Sequence, residues 1–189
     1  QDGLRDGFEV NVLSTDPLKP DTDGDGLTDN DEVWIHKTNP LETDTDQDGL
    51  SDGDEINIHK TDPSKSDTDQ DGLSDGAEVT VLDTNPLVRD TDGDGTIDSD
   101  EDADSDSLSD ADELYIHRTN PMVADTDQDG LSDGEEINVR RTNPLALDTD
   151  QDGLRDGFEV NVLSTDPLKP DTDGDGLTDN DEVWIHKTN

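Results

Sequence analysis

The sequence predicts a repeat array with little regular secondary structure, short helical turns and no conventional hydrophobic core. Only 25% of the 189 residues are hydrophobic and 3% are aromatic, which is too little apolar surface to offset the entropy of an ordered chain. The formal net charge of −42 also opposes a compact fold. A motif of regularly spaced carboxylates recurs along the whole chain. Either the chain is disordered, or something other than apolar burial folds it.

The composition also narrows the classes of partner. An acidic chain repels nucleic acids and anionic membrane surfaces, so we expect cations as partners, no nucleic acid and no membrane insertion in this segment. The chain has no cysteine, which excludes disulfides and thiolate metal sites. No apolar run approaches the length of a membrane span.

The repeating motif is D-x-D-x-D-G-L-x-D-x-x-E, with carboxylates at positions 1, 3, 5, 9 and 12. Complete copies begin at Asp21, Asp44, Asp67, Asp90, Asp102, Asp125, Asp148 and Asp171. The predicted units are therefore 1–20 (partial), 21–43, 44–66, 67–89, 90–101 (short), 102–124, 125–147, 148–170 and 171–189 (partial). Residues 1–39 are identical to 151–189, which gives a 150-residue super-repeat. We favour a long natural array, such as a fibre, over an engineered concatemer.

The spacing of the carboxylates is that of a calcium loop. Aspartates at positions 1, 3 and 5 converge if the loop curls, and a glycine at position 6 tolerates the sharp turn that this needs. The carbonyl of position 7 and a bidentate Glu at position 12 complete a set of hard oxygen donors like that of an EF-hand. Magnesium is the weaker candidate, because it demands stricter octahedral geometry.

The predicted metal ligands follow from these positions. Position 1 supplies Asp21, Asp44, Asp67, Asp90, Asp102, Asp125, Asp148 and Asp171; position 3 supplies Asp23, Asp46, Asp69, Asp92, Asp104, Asp127, Asp150 and Asp173. Position 5 supplies Asp2, Asp25, Asp48, Asp71, Asp94, Asp106, Asp129, Asp152 and Asp175. The carbonyls of position 7 belong to Leu27, Leu50, Leu73, Thr96, Leu108, Leu131, Leu154 and Leu177. Position 12 supplies Glu9, Glu32, Glu55, Glu78, Glu101, Glu113, Glu136, Glu159 and Glu182.

Charge predicts more than one calcium ion in most repeats. One ion per complete loop leaves a net charge of −26, and two leave −10. Like charge repeated along an array is unfavourable, so the higher number is favoured.

The aspartate at position 9 and the residues after the loop are open to two interpretations. Asp-x-x-Glu resembles a capping box, so we expect the aspartate at position 9 to be chiefly a helix N-cap, or else a water-mediated ligand. Apolar pairs spaced by two residues follow, such as Ile56 and Ile58; the spacing suggests a strand and the cap a short helix, and we favour the helix. With the leucine at position 7, both members of each pair are expected to form contacts between neighbouring units.

A Thr-[Asp/Asn]-Pro sequence ends each long unit and turns the chain. Its Asp or Asn, at position 19, is either an ordinary turn residue or a further oxygen ligand. The residues at this position are Asp16, Asn39, Asp62, Asn85, Asn120, Asn143, Asp166 and Asn189.

The combined pattern D-T-D-x-D-G-L-[ST]-D-x-x-E-[VI] followed by T-[DN]-P-L resembles the bacterial thrombospondin type-3 repeat over essentially the whole chain. The resemblance implies an extracellular protein that wraps its backbone around calcium and forms stalks or spacers. It also implies a pair of calcium ions per loop, with the Asp or Asn at position 19 serving the second ion. Animal members of the family contain cysteines that this chain lacks.

The tandem at 90–113 departs from the pattern, because its second motif begins after 12 residues and has Ser107 where glycine is expected. We predict a kink or a weaker, differently coordinated site there. The histidines at position 16 (His36, His59, His117 and His186) and the aromatic residues at position 14 (Trp34, Tyr115 and Trp184) are interpreted as exposed or locally packed residues.

These observations predict a non-enzymatic, calcium-rigidified spacer, stalk or fibre segment with the form of an elongated, solenoid-like rod. Its expected location is the outside of a bacterial cell, secreted or on the surface, with calcium and copies of itself in a fibre as partners. Two alternatives are a dockerin-like protein-binding module and a calcium buffer or mineral-nucleating protein.

Overall fold

The computed structural model describes residues 3–183, in which each long repeat consists of an acidic loop, one short helix and a proline turn. Most helices begin with an α-helical turn: Asp6–Phe8, Asp29–Asp31, Asp52–Asp54, Asp75–Ala77, Asp133–Glu135, Asp156–Phe158 and Asp179–Asp181. The π-helical turns, most of which follow one of these α-helical turns directly, are Glu9–Leu13, Glu32–His36, Glu55–His59, Glu78–Leu82, Asp112–His117, Glu136–Arg140 and Glu159–Leu163. The short unit contains a 3₁₀ turn, Asp98–Asp100. Residues 3–183 include no β-strand, so the predicted array with short helical turns is confirmed.

A serine or threonine at position 8 starts most of these helices. Ser51 is extended, with φ −84° and ψ 147°, and its hydroxyl oxygen accepts the N–H of Asp54 at 3.1 Å. The prediction that the aspartate at position 9 is the N-cap is therefore wrong. Serine already occupies the capping position, and Asp52, the first helical residue, instead accepts hydrogen bonds from Thr45.

The π-helical turn closes each helix on a residue in the left-handed region. The N–H of Lys60 donates to the carbonyl of Glu55 at 2.6 Å, and Lys60 has φ 67°. Its ammonium group donates to the carbonyls of Ile56 and Asn57 at 2.9 and 2.8 Å. These bonds satisfy carbonyls that a helix C-terminus leaves without partners. The chain then turns so that Thr61 reaches back to Glu55.

In most repeats of residues 3–183, one apolar residue is fully buried. It is the leucine at position 7 (Leu27, Leu50, Leu73, Leu108, Leu131 and Leu154). The first member of the apolar pair after the loop is half-buried, as Ile56 is, whereas the second is exposed, with Ile58 64% accessible. The prediction that both members pack between units is therefore wrong. Residues two apart on a helix point to nearly opposite sides, so only one can face the neighbouring repeat.

Successive repeats pack the start of one helix against the preceding loop. The N–H of Gly76, at position 10, donates to Oδ2 of Asp48 at 3.0 Å. A Cβ atom on Gly76 would lie only 2.1 Å from the carbonyl oxygen of Asp48, so this close approach requires glycine. Where position 10 is Ser99, the hydroxyl donates to the carbonyl of Asp71 at 2.7 Å. The following repeat thus covers the loop before it.

Two identical stretches show what this cover does. In the copy that begins at Asp21, a further repeat follows, Asp25 is half-buried and Leu27 is buried. In the copy that begins at Asp171, which is the last in the sequence, Asp175 is exposed and Leu177 only half-buried. The following repeat, rather than the local sequence, therefore buries the loop.

The chain divides into two compact units, Gln1–Ser99 and Asp100–Asn189. The division falls inside the short unit 90–101, where the next motif begins after 12 residues instead of 23. Asp92 and Asp94 of this unit are exposed, unlike their half-buried or buried equivalents in the preceding repeats. Across residues 3–183, every helix falls short of the length and apolar character that crossing a membrane requires.

Candidate metal centres

The aspartates at positions 1, 3 and 5 come together in the loops that begin at Asp21, Asp44 and Asp67, and we call this group the loop cluster. In the loop of Asp44, Asp46 and Asp48, one oxygen of each carboxylate lies within 4.8 Å of the others. The same holds for Asp21, Asp23 and Asp25 and for Asp67, Asp69 and Asp71. Calcium ligands lie about 2.3–2.6 Å from the ion, so oxygens at these separations fit around one ion.

Backbone amides hold the loop in this curl. Asp44 accepts the N–H of Gln47 at 2.7 Å through one oxygen and that of Gly49 at 3.1 Å through the other. Asp48 accepts the N–H of Leu50 at 2.7 Å. Gly49 has φ 105°, the positive value that the sequence predicts for position 6.

A second group joins consecutive repeats, and we call it the junction cluster. It contains the carboxylates of positions 5 and 12 of one repeat and of position 9 of the next, such as Asp48, Glu55 and Asp75. Glu55 and Asp75 are completely buried. Asp25, Glu32 and Asp52 form the equivalent group one repeat earlier. The contact that holds such junctions recurs in the second unit, where Gly134, Gly157 and Asn180 donate their N–H groups to Asp106, Asp129 and Asp152 at 2.6, 3.1 and 3.0 Å.

Two threonines orient the buried carboxylates of the junction cluster. The hydroxyl of Thr61, at position 18, donates to Oε1 of Glu55 at 3.0 Å. Thr68, at position 2, donates its N–H and hydroxyl to the two oxygens of Asp75 at 2.8 and 2.6 Å. Thr61 binds one oxygen of Glu55, and Thr68 binds both oxygens of Asp75. Each threonine therefore fixes the orientation of its carboxylate.

Several of the remaining oxygens are buried without any hydrogen-bond donor. They include Oε2 of the glutamate at position 12 and at least one oxygen of the aspartate at position 3: Glu32, Glu55, Glu78, Glu113, Glu136 and Glu159, and Asp23, Asp46, Asp69, Asp104, Asp127 and Asp150. A buried carboxylate oxygen without a partner is strongly unfavourable. A divalent cation would satisfy these oxygens, and a donor set made only of oxygen suits calcium rather than zinc or copper.

The raised pKa values of the buried carboxylates also favour a bound cation. Burial raises the pKa of Glu55 to about 8, and the charges of Asp46 and Asp48 add to this rise, while the Thr61 hydroxyl opposes it. Burial also raises the pKa of Asp46 to about 6, together with the charges of Asp48 and Asp44. The loop therefore favours protons when it lacks a cation, and a bound cation would favour the charged carboxylates.

The structure brings the predicted ligands at positions 1, 3 and 5 together in the loop cluster and those at positions 5 and 12 together in the junction cluster, which also contains the aspartate at position 9 of the next repeat. The sequence predicts this residue chiefly as a cap, or else as a water-mediated ligand, and its contact with the carboxylates of the preceding repeat was not predicted. The position is occupied by Asp29, Asp52, Asp75, Asp98, Asp110, Asp133, Asp156 and Asp179. The signal was its presence in every complete copy. The carbonyl ligand at position 7 stays a prediction; Asp2 and Asn189 lie outside the described residues.

The Asp or Asn at position 19 forms a local turn. The side-chain oxygen of Asn39 accepts the N–H of Leu41 at 3.3 Å. Asp62 forms an ion pair with Lys65, and hydrogen bonding from this lysine is the main reason that the pKa of Asp62 is lowered. Asp166 and Lys169 form the same pair. A ligand role for position 19 stays a prediction.

The second motif of the 90–113 tandem keeps the form of the other loops. Ser107 adopts φ 84° where the other loops have glycine, and Asp106 is buried. Ala103 takes the place of the threonine at position 2, and its N–H donates to Asp110 at 3.0 Å. A weaker site in this tandem stays a prediction.

The family of the chain follows from comparison with known repeats. A family model described as "Bacterial TSP3 repeat" matches residues 2–20, 21–42, 44–66, 67–88, 125–146, 148–170 and 171–189. The chain belongs to the bacterial TSP3 repeat family. The TSP3 matches omit residues 89–124, the stretch that contains the short unit and the loop with Ser107.

No curated protein matches this TSP3 chain. It is similar to a solved structure titled "Biofilm associated protein - B domain", with 47% identity over 24% of this chain and 11% of that one, and a TM-score of 0.24. A second, titled "Biofilm associated protein - BSP domain", is 44% identical over 23% of this chain and 7% of that one, with a TM-score of 0.23. The matched part is a small fraction of either solved chain.

Proposed function

We propose that this chain is an extracellular spacer, stalk or fibre segment of a bacterial surface protein, in which bound calcium stiffens a series of TSP3 repeats. The observation that carries the proposal is the junction cluster. It takes Asp48 and Glu55 from one repeat and Asp75 from the next, so that a cation held there ties the two repeats together.

Calcium would take the place of the missing core. Each described repeat has about one fully buried apolar side chain, whereas several oxygens of its buried carboxylates lack donors. When a metal site does not exist in the unfolded chain, the free energy of metal binding becomes free energy of folding. Millimolar calcium outside cells would keep even moderate sites occupied.

We further propose two calcium ions per covered repeat. The loop cluster would hold one ion and the junction cluster the other, with the aspartate at position 5, such as Asp48, serving both. Two positive ions per repeat would also remove most of the net charge of −42. The repetition of one arrangement in every unit supports a structural role over an enzymatic one.

The decisive experiment is a calcium titration of chelator-stripped protein, followed by circular dichroism and by native mass spectrometry to count bound ions. A cooperative gain of helical signal with more than one ion per repeat would support the proposal. Binding without any gain of structure would instead support a calcium buffer. Full structure in the absence of calcium would contradict the stiffening role, and capture of a single saturating protein partner would favour a dockerin-like module.

A further inference from the structure

The Asp-Gly-Asp-Gly segment at residues 92–95 is exposed, although the aspartates of the same sequence are half-buried elsewhere in the same compact unit. The sequence D-T-D-G-D-G begins at Asp21, Asp90 and Asp171, and the first two copies lie in the unit 1–99. In the first copy, Asp23 and Asp25 are half-buried under the following repeat. In the second copy, both aspartates and both glycines are exposed. One chain thus contains a covered and an uncovered version of one hexapeptide.

Aspartate followed by glycine has a specific covalent chemistry. The glycine nitrogen attacks Cγ of the aspartate, a C–N bond forms, and one carboxyl oxygen leaves as water, which gives a five-membered succinimide. Water then opens the ring at either carbonyl and yields aspartate or isoaspartate. One water is released and one consumed, so no oxidant, reductant or enzyme is needed. Glycine promotes the closure because it has no Cβ and the widest backbone freedom.

We propose that the exposed Asp92 and Asp94 isomerise to isoaspartate, and that cover by the following repeat slows the same reaction at Asp23 and Asp25. Closure requires the carboxyl group to rotate onto the next nitrogen. Asp25 is held by the N–H of Leu27 at 2.7 Å and by the N–H of Gly53 from the next repeat at 3.1 Å. Asp94 lies exposed, and its donors, the N–H of Thr96 at 2.7 Å and the Thr96 hydroxyl, belong to its own loop.

The attacking nitrogens do not differ between the two copies. The N–H of Gly24 donates to Asp21 at 2.6 Å, and the N–H of Gly93 donates to Asp90 at 2.7 Å. At position 6, Gly26 and Gly95 make equivalent bonds of 3.2 and 3.0 Å to the same two aspartates. The difference in reactivity therefore arises from the cover over the carboxylates.

Isomerisation would disable the loop in which it occurs. Isoaspartate adds one bond to the backbone and removes one methylene from the side chain, which displaces a carboxylate of the loop cluster. The loop of the short unit would then be altered before the covered loop that begins at Asp21. The experiment in which calcium is chelated, described below, rests on the proposed function.

The test is peptide mapping of the calcium-loaded chain after prolonged incubation in ¹⁸O-labelled water at neutral pH. Electron-transfer fragmentation distinguishes isoaspartate from aspartate, and cleavage after arginine places the three copies in the distinct peptides 6–89, 90–118 and 156–189. We expect isoaspartate and ¹⁸O to accumulate about fivefold faster at Asp94 than at Asp25, the ratio that the hydrogen bond from Gly53 gives, and faster at the exposed Asp92 than at the half-buried Asp23. Equal rates in the two copies would overturn the proposal. A D92E/D94E chain provides the assay blank.

Two further experiments separate the effect of cover by the next repeat from the effect of calcium. Gly53→Ala displaces the cover from Asp25 and should raise the rate at Asp25 towards that at Asp94; an unchanged rate, once loss of the contact is verified, would overturn the proposal. Chelation of calcium should equalise the two copies if calcium holds the repeats together. A ratio that persists after chelation would support the isomerisation site while contradicting the calcium-stiffened array.

Discussion

Gly53 and Asp25 are 28 residues apart, yet the N–H of Gly53 donates to Oδ2 of Asp25 at 3.1 Å. A Cβ atom on Gly53 would lie 2.1 Å from the carbonyl oxygen of Asp25. Gly76 and Asp48 repeat this relationship one unit later. The contact brings the carboxylate of position 9 next to those of the preceding loop, so a single glycine both limits the packing distance and assembles the junction cluster.

Gly157→Ala should destabilise the calcium-loaded protein, whereas Gly7→Ala should not. The two glycines occupy the same place in identical sequences, but a Cβ on Gly157 would lie 2.5 Å from the carbonyl oxygen of Asp129, and one on Gly7 would find its nearest atom at 4.0 Å. We expect a cost of about 1–3 kcal/mol from overpacking at Gly157. At Gly7 we expect no loss, or a gain of up to about 1 kcal/mol from the better helix propensity of alanine. Urea unfolding measures both, and equal costs would contradict the packing explanation.

Glu55→Gln should weaken calcium binding and at the same time favour the metal-free fold. The substitution removes a buried charge whose Oε2 has no donor, and it also removes a carboxylate of the junction cluster. We expect the calcium affinity of this repeat to fall by at least about tenfold, because a carboxylate–cation contact is worth several kcal/mol at the effective dielectric of proteins. Isothermal titration calorimetry measures the affinity, and circular dichroism of chelated protein measures the metal-free fold.

The matched control for this substitution is Glu42→Gln, since Glu42 is exposed and outside both clusters. It changes the net charge by the same amount. If Glu42→Gln reduced calcium affinity as much as Glu55→Gln, the effect would be one of overall charge, and the junction cluster would not be the binding site.

The metal-free chain should lose stability as the pH rises. Burial raises the pKa of Glu55 from 4.5 to about 8 and that of Asp46 from 3.8 to about 6. The folded state therefore binds more protons than the unfolded state between about pH 4 and pH 8, so the free energy of unfolding falls across this window. We expect more helical signal in chelated protein at pH 5 than at pH 8.

Calcium affinity should have the opposite pH dependence, because protons and calcium compete for the same carboxylates. Affinity should rise from pH 5 to pH 8 and then level off, with proton release on binding detected by calorimetry in buffers of different ionisation enthalpy. An affinity independent of pH over this range would show that the glutamates whose pKa is raised do not bind the ion.

Thr45→Val should be destabilising, although the two side chains have almost the same shape. The Thr45 hydroxyl donates to Asp52 at 2.6 Å and accepts the N–H of Asn39 at 2.9 Å. Its loss leaves a completely buried carboxylate with one donor fewer, which we expect to cost about 1–3 kcal/mol in thermal or urea unfolding. Thr43→Val, at an exposed side chain, should stay within about 0.5 kcal/mol of the parent.

Most of the loop could be predicted from the sequence, because its contacts are local. Asp44, Asp46 and Asp48 lie within five residues, and the turn at Gly49 follows from the one residue type that tolerates it. The role of Asp75 could not be predicted in the same way. Its partners Asp48 and Glu55 belong to the preceding repeat, and a motif examined one copy at a time contains no information about that contact.

The apolar residues after the loop illustrate a different limit. Ile56 and Ile58 have the spacing of a strand, and the assumption that both pack between repeats carries over from that pattern. In a helix the same spacing separates the two side chains by about half a turn, which leaves Ile58 exposed. The threonines at positions 2 and 18 were visible in the repeats, but their role depends on which carboxylates are buried.

The contact between position 10 and the preceding loop has a consequence for how such proteins change during evolution. Insertion or deletion of whole 23-residue repeats leaves the spacing of the junction contacts intact. Recombination between identical stretches such as 1–39 and 151–189 changes the chain by 150 residues and preserves the frame of the contacts. A lineage can therefore change the number of repeats without altering a single side chain that packs at a junction.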